Sequence, residues 1–440
     1  MIDISLIRNE PDAVREALRK RMDTVDLQPI QNLDAARREL ITSVEQLKAR
    51  RNDASREVPR IKRTGGDATE LIAEMRAVGD RIKELETRLG TVTQELDELL
   101  AGLPNLPDAD VPPGGKEANQ TLREWGERPA ACAAGMDHVA FAGRLGLVDY
   151  ERGAKLAGHG FWIYRGWGAR LEWALLNYFI DTHVADGFEL ILPPHLLSYG
   201  CGFNAGQFPR FGVDDVYFLQ EGAERGEAPF LLPTSETALA SLHADEILKE
   251  SEMPKRYVAY TPCYRREAGS YRTHDRGTLR GHQFNKVELF QFVMPDRSEE
   301  ALEDMIGRAE RLVQGLGLHY RVTRLAAGDA SSAMARTLDL EVYLPSTGSY
   351  EEVSSASNAR DYQTRRANTR VRGSGGTRFV HTLNASGLAT SRLLPALLET
   401  HQNADGTLTV PEPLRPALGT DRVRTGTDRV PTGTDRLPPA

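Results

Sequence analysis

The longest regular pattern in the chain is a heptad seam. Apolar residues recur at Leu33, Leu40, Val44, Leu47, Ala54, Val58 and Ile61, interrupted only by Arg37 and Arg51. After a polar turn, KRTGGD at 62–67, the seam resumes at Leu71, Met75, Val78, Ile82, Leu85, Leu89, Val92, Leu96 and Leu99, in alternating steps of four and three. Two helices joined by a Gly-Gly turn predict an antiparallel coiled-coil hairpin over 33–99. At a rise of about 1.5 Å per residue each leg is roughly 45 Å long, which predicts an arm standing out from any compact body. Ahead of it, 2–27 reads as a short helix, with Asn9, Glu10 and Pro11 as its cap and first turn. Behind it, LPNLPDADVPPGG breaks the helical period as a Pro-rich linker.

Beyond the linker the pattern changes to strands and helices. Residues 168–197 read as an amphipathic helix, a Gly turn and an apolar strand ending in Pro-Pro. Residues 257–264 form an apolar run, 268–277 a polar loop, and the return strand carries Arg280, Phe284 and Glu288 four residues apart. Even separation in a strand puts all three on one face. A guanidinium, a ring and a carboxylate on one surface suit a nucleotide: phosphate, base, and an amine or hydroxyl. A helix over 298–316 and further strands follow, and past Gly419 the units GTDRVRT, GTDRVPT and GTDRLPP repeat at period seven. Such a tail has almost nothing to bury and reads as disordered.

Composition narrows the classes. At 440 residues the chain can hold about two or three domains, each with its own core. Three scattered cysteines, Cys132, Cys201 and Cys263, make neither a disulfide framework nor a tetrahedral zinc site, which points to a reducing cytoplasm. No apolar run approaches the roughly twenty residues of a membrane span, and the N-terminus lacks a signal-peptide core. A net charge of -8 argues against indiscriminate nucleic-acid binding. The first leg of the hairpin nevertheless gathers Lys48, Arg50, Arg51, Arg56, Arg60, Lys62 and Arg63, a locally basic surface.

The stretch CYRREAGS, followed by DRGTLRGHQFNKVE, resembles motif 2 of class II aminoacyl-tRNA synthetases, and in detail that of the seryl-tRNA synthetase family in its bacterial form. Tyr264 departs from the family's Phe, and Tyr271, Arg272, Thr273 and His274 are bulkier than its usual inner loop. GARLEWALLNYFIDTHVADGFELILPPHLL is similar to motif 1, the family's dimer element, with Pro194 at the subunit boundary. TLNASGLATSRLLPALLET resembles motif 3, with Ala385 and Ser391 at positions the family often gives to Gly. EEVSSASN matches a further family segment, with Ala356 for a frequent Cys, and DHVAFAGRLGLVDYERGAKLA matches its entry segment. His138 in that segment has no partner at ligand spacing and reads as a packing or capping residue. The run Thr234-Ser235-Glu236 stands where the family binds serine, though it is equally a helix N-cap and fixes the subclass poorly.

The resemblance implies an α+β fold: an N-terminal antiparallel coiled-coil arm (1–102), a linker (103–118), a class II core of antiparallel sheet flanked by helices (119–418), and the tail (419–440). It implies a serine–tRNA ligase that uses ATP and Mg2+. Arg265 would bridge the serine carboxylate and the α-phosphate, with Arg280 and Arg392 on the terminal phosphates of a bent ATP. Phe284 would stack on adenine with Glu267 near its amino group. Glu352 and Ser355 would hold Mg2+, with Glu341 close by. Thr234, Glu236, Arg265, Glu288, Asn384 and Ser386 would hold serine. Arg265, Arg392 and Glu352 would be catalytic. Arg51, Arg56, Arg60 and Arg63 would bind tRNA(Ser), and tRNA(Sec) as a second acceptor. A cytoplasmic homodimer through motif 1, without membrane association, completes the expectation. The residues leave open a second gene copy serving antibiotic biosynthesis or resistance, and a non-translational paralogue that activates an amino acid for another acceptor.

Overall fold

The computed structural model describes residues 1–21, 24–219, 228–267 and 276–425. The bulky inner loop 271–274, most of the insert at 220–228 and the last two repeats of the tail lie outside the described residues. The chain divides into two compact units, one of Met1–Arg19 and Asp23–Pro104, the other of Lys20–Met22 and Asn105 onward.

In the first unit the expected single N-terminal helix is two, α1 (Ile4–Asn9) and α2 (Pro11–Lys20). Asp3 caps α1 by accepting from the Ser5 amide at 2.8 Å. Pro11 then opens α2, where its missing N–H costs nothing. The hairpin is α3 (Gln28–Arg63) and α4 (Thr69–Gly102). Leu40 and Val44 form one cluster with Leu85, with Leu47, Leu89 and Val92 packed against it, and Ala54, Val78, Ile82 and Leu96 are buried too, so the seam packs as its spacing predicts. Its last position moves: Leu99 is 40% exposed and Leu100 is 4% exposed. A strict heptad drifts off the face of a 3.6-residue helix, and one step of four restores it. At the base of α3, Asp34 is buried and takes a two-pronged ion pair from Arg8, Nε to Oδ2 at 2.7 Å and Nη2 to Oδ1 at 2.9 Å, which pins α1 to the hairpin. Arg8 holds that carboxyl below its ordinary range against the cost of burial.

The second unit is built on an eight-stranded sheet. In chain order its strands are β1 (Gln120–Trp125), β2 (Glu189–Ile191), β3 (Lys255–Tyr264), β4 (Gln283–Val293), β5 (Tyr320–Arg324), β6 (Arg336–Leu344), β7 (Ser349–Arg360) and β8 (His381–Ala389). Across the sheet they run β1-β5-β6-β7-β8-β4-β3-β2. Every neighbouring pair is antiparallel except β2 with β3. Three helices, α5 (Trp167–Ala185), α6 (Ser298–Gly315) and α7 (Thr390–His401), bury Leu175, Phe179, Met305, Leu312, Leu393 and Leu397 in one core with Val287, Leu289, Leu340 and Leu383 of the sheet. Strand alternation sends Phe284, Lys286 and Glu288 to the opposite face.

Two boundaries differ from the sequence reading. The linker is fixed in place, because Asn105 Nδ2 donates to the carbonyls of Ala333 (2.9 Å) and Ala359 (2.8 Å), and Asp108 pairs with Arg360 at 2.7 Å. The tail is not featureless from Gly419: Arg422–Val423 pairs antiparallel with Leu408–Thr409, and Val423 is 2% exposed in the main core. One valine in the first repeat is enough of an apolar face to dock it.

Candidate active site

The open face of the sheet carries a cavity of about 460 Å3. Eleven of the twelve residues expected to bind ATP, serine or metal line it: Thr234, Glu236, Arg265, Glu267, Arg280, Phe284, Glu352, Ser355, Asn384, Ser386 and Arg392. The twelfth, Glu288, is fully buried behind the lining, where it pairs with Lys286 at 2.5 Å and accepts from Asn384 Nδ2 at 3.0 Å. Arg280 shares the cavity with Phe284, but it lies in the bend before β4 and not on the strand, so the expected spacing of four holds only for Phe284 and Glu288.

The charges are arranged in pairs. Arg280 Nε meets Glu267 at 2.7 Å, Arg392 Nη1 meets Glu352 at 3.1 Å, and Lys286 meets Glu288. Glu267 takes a left-handed backbone, φ 49°. Arg265 has no carboxylate partner among the described residues; its Nε donates to the Pro233 carbonyl at 3.2 Å and its guanidinium lies 5.3 Å from the centre of the Phe284 ring. A cation without a carboxylate in contact with it keeps its donors available to an anionic ligand. Burial opposes ionisation of Glu352, yet Arg392, Arg265 and Lys286 outweigh it and hold the carboxyl below its usual range.

The same cavity holds a polar nest. Glu236 accepts from Gln363 Nε2 at 2.8 Å and from Asn384 Nδ2 at 3.3 Å, and Gln363 is itself held by Thr382 at 2.7 Å. Burial, helped by the charge on Glu288, pushes the Glu236 carboxyl up to about 7. Lys286 and Gln363 are parts of this site that the motif comparison passed over. Lys286 was readable as the position between Phe284 and Glu288 on the same alternating face; Gln363 follows β7 and carried no local signal.

For a metal, Glu352 and Ser355 supply a carboxylate and a hydroxyl on β7 at the cavity wall. Two hard oxygen donors suit Mg2+, which keeps waters and substrate phosphates for its remaining positions. Glu341 does not belong with them. It pairs in register with Glu352, but its carboxylate is taken by Arg321 Nε at 2.6 Å and Thr323 Oγ1 at 2.8 Å, after a bulge at Leu340/Glu341. The buried acid behind Ser355 is instead Asp339, its partner in the ladder. Burial and then the charge of Glu352 raise it well above the carboxylate range. Of the two roles expected for His138, packing holds and capping falls to Asp137: His138 is buried with Nδ1 2.8 Å from Glu399, to which its amide also donates at 3.1 Å, while Asp137 accepts from the Ala140 amide.

Known proteins share this arrangement. Residues 1–107 match the family model of the seryl-tRNA synthetase N-terminal domain, and 217–401 that of the class II tRNA synthetase core of the G, H, P, S and T enzymes. Serine–tRNA ligase 2 of Clostridium acetobutylicum is 53% identical over 426 residues, 96% of this chain and 100% of that one. The chain belongs to the seryl-tRNA synthetase family. Serine–tRNA ligase of Nitratidesulfovibrio vulgaris is 45% identical over 95% of this chain and 98% of its own. The seryl-tRNA synthetase of Pyrococcus horikoshii, solved with ATP, superposes with a TM-score of 0.88 at 32% identity, covering 97% of this chain and 100% of that one. As a family member the chain is an aminoacyl-tRNA synthetase and a ligase, and the α+β fold with its helical arm is as expected.

The arm's basic residues are disposed differently from those of the cavity. Arg51, Arg56, Arg60 and Arg63 are all exposed, and the nearest carboxylates stand off, Asp53 at 4.0 Å from Arg56 and Glu57 at 3.6 Å from Arg60. No helix of the described residues is long and apolar enough to cross a membrane.

Proposed function

We propose that this chain activates L-serine with ATP and transfers it to tRNA(Ser). The observation that carries the reading is one cavity whose lining brings together three arginines, Arg265, Arg280 and Arg392, and the hydrogen-bonded Glu236 and Asn384. In the first step a serine carboxylate oxygen bonds to the α-phosphorus as the bond to pyrophosphate breaks. Both reactants are anions, so neutralisation is the largest part of catalysis. Arg265 touches both, Arg280 and Arg392 hold the departing phosphates, and Phe284 stacks on adenine beside Glu267. Glu352 and Ser355 would hold Mg2+, which would supply positive charge to screen the phosphates. In the second step a terminal ribose hydroxyl oxygen of the tRNA bonds to the acyl carbon as the bond to AMP breaks, and the hydroxyl proton leaves with the AMP phosphate, so that no protein base is needed.

The nest sets the amino acid. Glu236 receives the serine ammonium, while Thr234, Asn384 and Ser386, backed by Glu288, surround the hydroxyl. A site built to hydrogen-bond a hydroxyl rejects an analogue that lacks it by about 10^4-fold or more. The exposed arginines of α3 bind the tRNA backbone, for tRNA(Sec) as for tRNA(Ser). A homodimer through motif 1 is supported by the apolar surface there: Leu192 is 72% exposed, Trp173 54% and Leu196 48%. The cytoplasm follows from a role in translation. The name serine–tRNA ligase 2 on the Clostridium relative favours a second copy over a sole housekeeping enzyme.

The test is exchange of pyrophosphate into ATP, which the reading expects only with L-serine and Mg2+ present, followed by charging of tRNA(Ser) transcript. A chain that exchanges with serine but charges no tRNA would be the non-translational paralogue.

A further inference from the structure

Helix α5 turns its apolar side to the sheet, yet places one carboxylate there. Glu172 is 3% exposed, next to the fully packed Leu171 and close to Leu175 and Leu176. Its Oε1 accepts two hydrogen bonds, from Asn285 Nδ2 at 2.8 Å and from Thr390 Oγ1 at 2.5 Å. The donors come from the two halves of the ATP cradle. Asn285 stands on β4 between Phe284 and Lys286; those two face the cavity, and strand alternation turns Asn285 to the helical side. Thr390 is the first residue of α7, two before Arg392.

The ladder alone leaves this junction loose. Ser386 pairs with Glu288, but the next pair is Ala389 with Lys286, so β8 spends three residues where β4 spends two. A bulge of this kind re-aims the strand as it leaves the sheet. The height of the first turn of α7 over β4 therefore rests on further contacts: Thr390 Oγ1 lies 3.3 Å from the Asn285 carbonyl, and the closer Glu172 carboxylate bridges the two elements at that point. Burial pushes this carboxyl up to about 7, a cost that an apolar residue in the same helical position would not incur.

We propose that Glu172 is a positioning residue for the ATP site, a clamp behind the sheet that fixes the Phe284 ring relative to the Arg392 guanidinium. The inference rests on the assignment of Phe284 and Arg392 to ATP given above. It goes beyond that assignment by giving the motif 1 helix a part in nucleotide binding through Asn285 and Thr390. The serine nest takes no part, since Glu236 and Asn384 are held by Gln363 and Glu288 instead.

The experiment is steady-state ATP–pyrophosphate exchange by the full chain, with ATP and serine varied separately, for Glu172→Leu, Glu172→Gln and Thr390→Val, with Tm measured alongside. Leucine fills the space without an acceptor and is expected to raise the KM for ATP about tenfold, the effect of losing an outer-layer support, with the KM for serine within about twofold of wild type. Glutamine keeps an acceptor oxygen for both donors and should restore the ATP value. Thr390→Val should reproduce the leucine effect, and the double variant should be no worse than either single one. A wild-type KM for ATP in Glu172→Leu, an equal loss for both substrates, or a glutamine variant as impaired as leucine overturns the proposal. If Glu172→Leu does not fold, Thr390→Val decides by the same readout. Arg392→Ala separates the two layers: retained exchange there defeats the ATP assignment itself. Lost exchange there, with the ATP KM unmoved in Glu172→Leu and Thr390→Val, defeats only the clamp.

Discussion

The arm and the cavity both present arginines to an anion, and they do so in opposite ways. Toward the tip of α3 the guanidiniums of Arg51, Arg56, Arg60 and Arg63 stand in water with carboxylates no nearer than 3.6 Å, whereas Arg38 and Arg50 of the same helix are paired with Asp34 and Glu74. In the cavity each cation is held by a partner: Arg392 by Glu352, Arg280 by Glu267, and Arg265 by a carbonyl and a ring. Exposed charges act in number, are screened by salt and can be exchanged singly at little cost. Partly buried, pre-oriented charges act one by one, and each is hard to replace. The difference matches the tasks proposed for them: an extended polyanion on the arm, one small anionic reaction centre in the cavity.

The sharpest break of this comparison is Arg265→Ala. It removes the cation proposed to be shared by both reacting anions and should lower exchange by about 10^3-fold or more, with Tm nearly unchanged; near wild-type exchange would show that the reacting atoms lie elsewhere. On the arm, reversing Arg51, Arg56, Arg60 and Arg63 together should raise the KM for tRNA by about 10- to 100-fold at low salt while exchange stays within about twofold. Because fewer counterions are then released, the gap to wild type should narrow as salt rises. A defect that is constant with salt would mean that these arginines act by geometry after all.

A smaller effect tests the nest. With its carboxyl at about 7, Glu236 is protonated below that pH and cannot neutralise the serine ammonium. The kcat/KM for serine should fall about tenfold per pH unit below about 6.5 and level off above about 8, and Glu236→Gln should lack that limb. In stability the sign is reversed: a carboxyl raised on folding stabilises least at high pH, its contribution being lost as pH rises through about 7. The smallest expected effect concerns the tail. Truncation after Thr425 should leave Tm unchanged, whereas truncation after Gly419 removes the buried Val423, worth about 1.5 kcal/mol or more, and should lower Tm by a few degrees.

Regular patterns made the arm and the sheet readable from sequence. A heptad seam survives any tertiary context that keeps its helix paired, and alternation on β4 correctly aimed Phe284 and Glu288. What escaped reading depends on neighbours distant in the chain. Nothing local marks Asp34 as buried, since its partner Arg8 is 26 residues away. Glu172 reads as a solvated charge in an amphipathic helix until Thr390, 218 residues on, is set beside it. Glu341 and Asp339 are each spaced to face Glu352, and only the bulge between Leu340 and Glu341, with Arg321 across the ladder, decides which one backs the metal wall. Eleven of the residues taken from the motifs line one cavity, because motifs record such distant contacts indirectly; strand alternation put Glu288 on one surface with Phe284, but a spacing does not say how deep a side chain sits.

The measurement closest to the central claim is amino-acid-dependent ATP–pyrophosphate exchange by the purified full-length chain, with serine, threonine and proline compared at equal concentration. The account predicts exchange with serine that requires Mg2+, at least about a hundredfold above threonine and proline, because the nest at Glu236 and Asn384 is built around a small hydroxyl-bearing side chain. Exchange with threonine or proline in preference to serine, or none with serine, would contradict it.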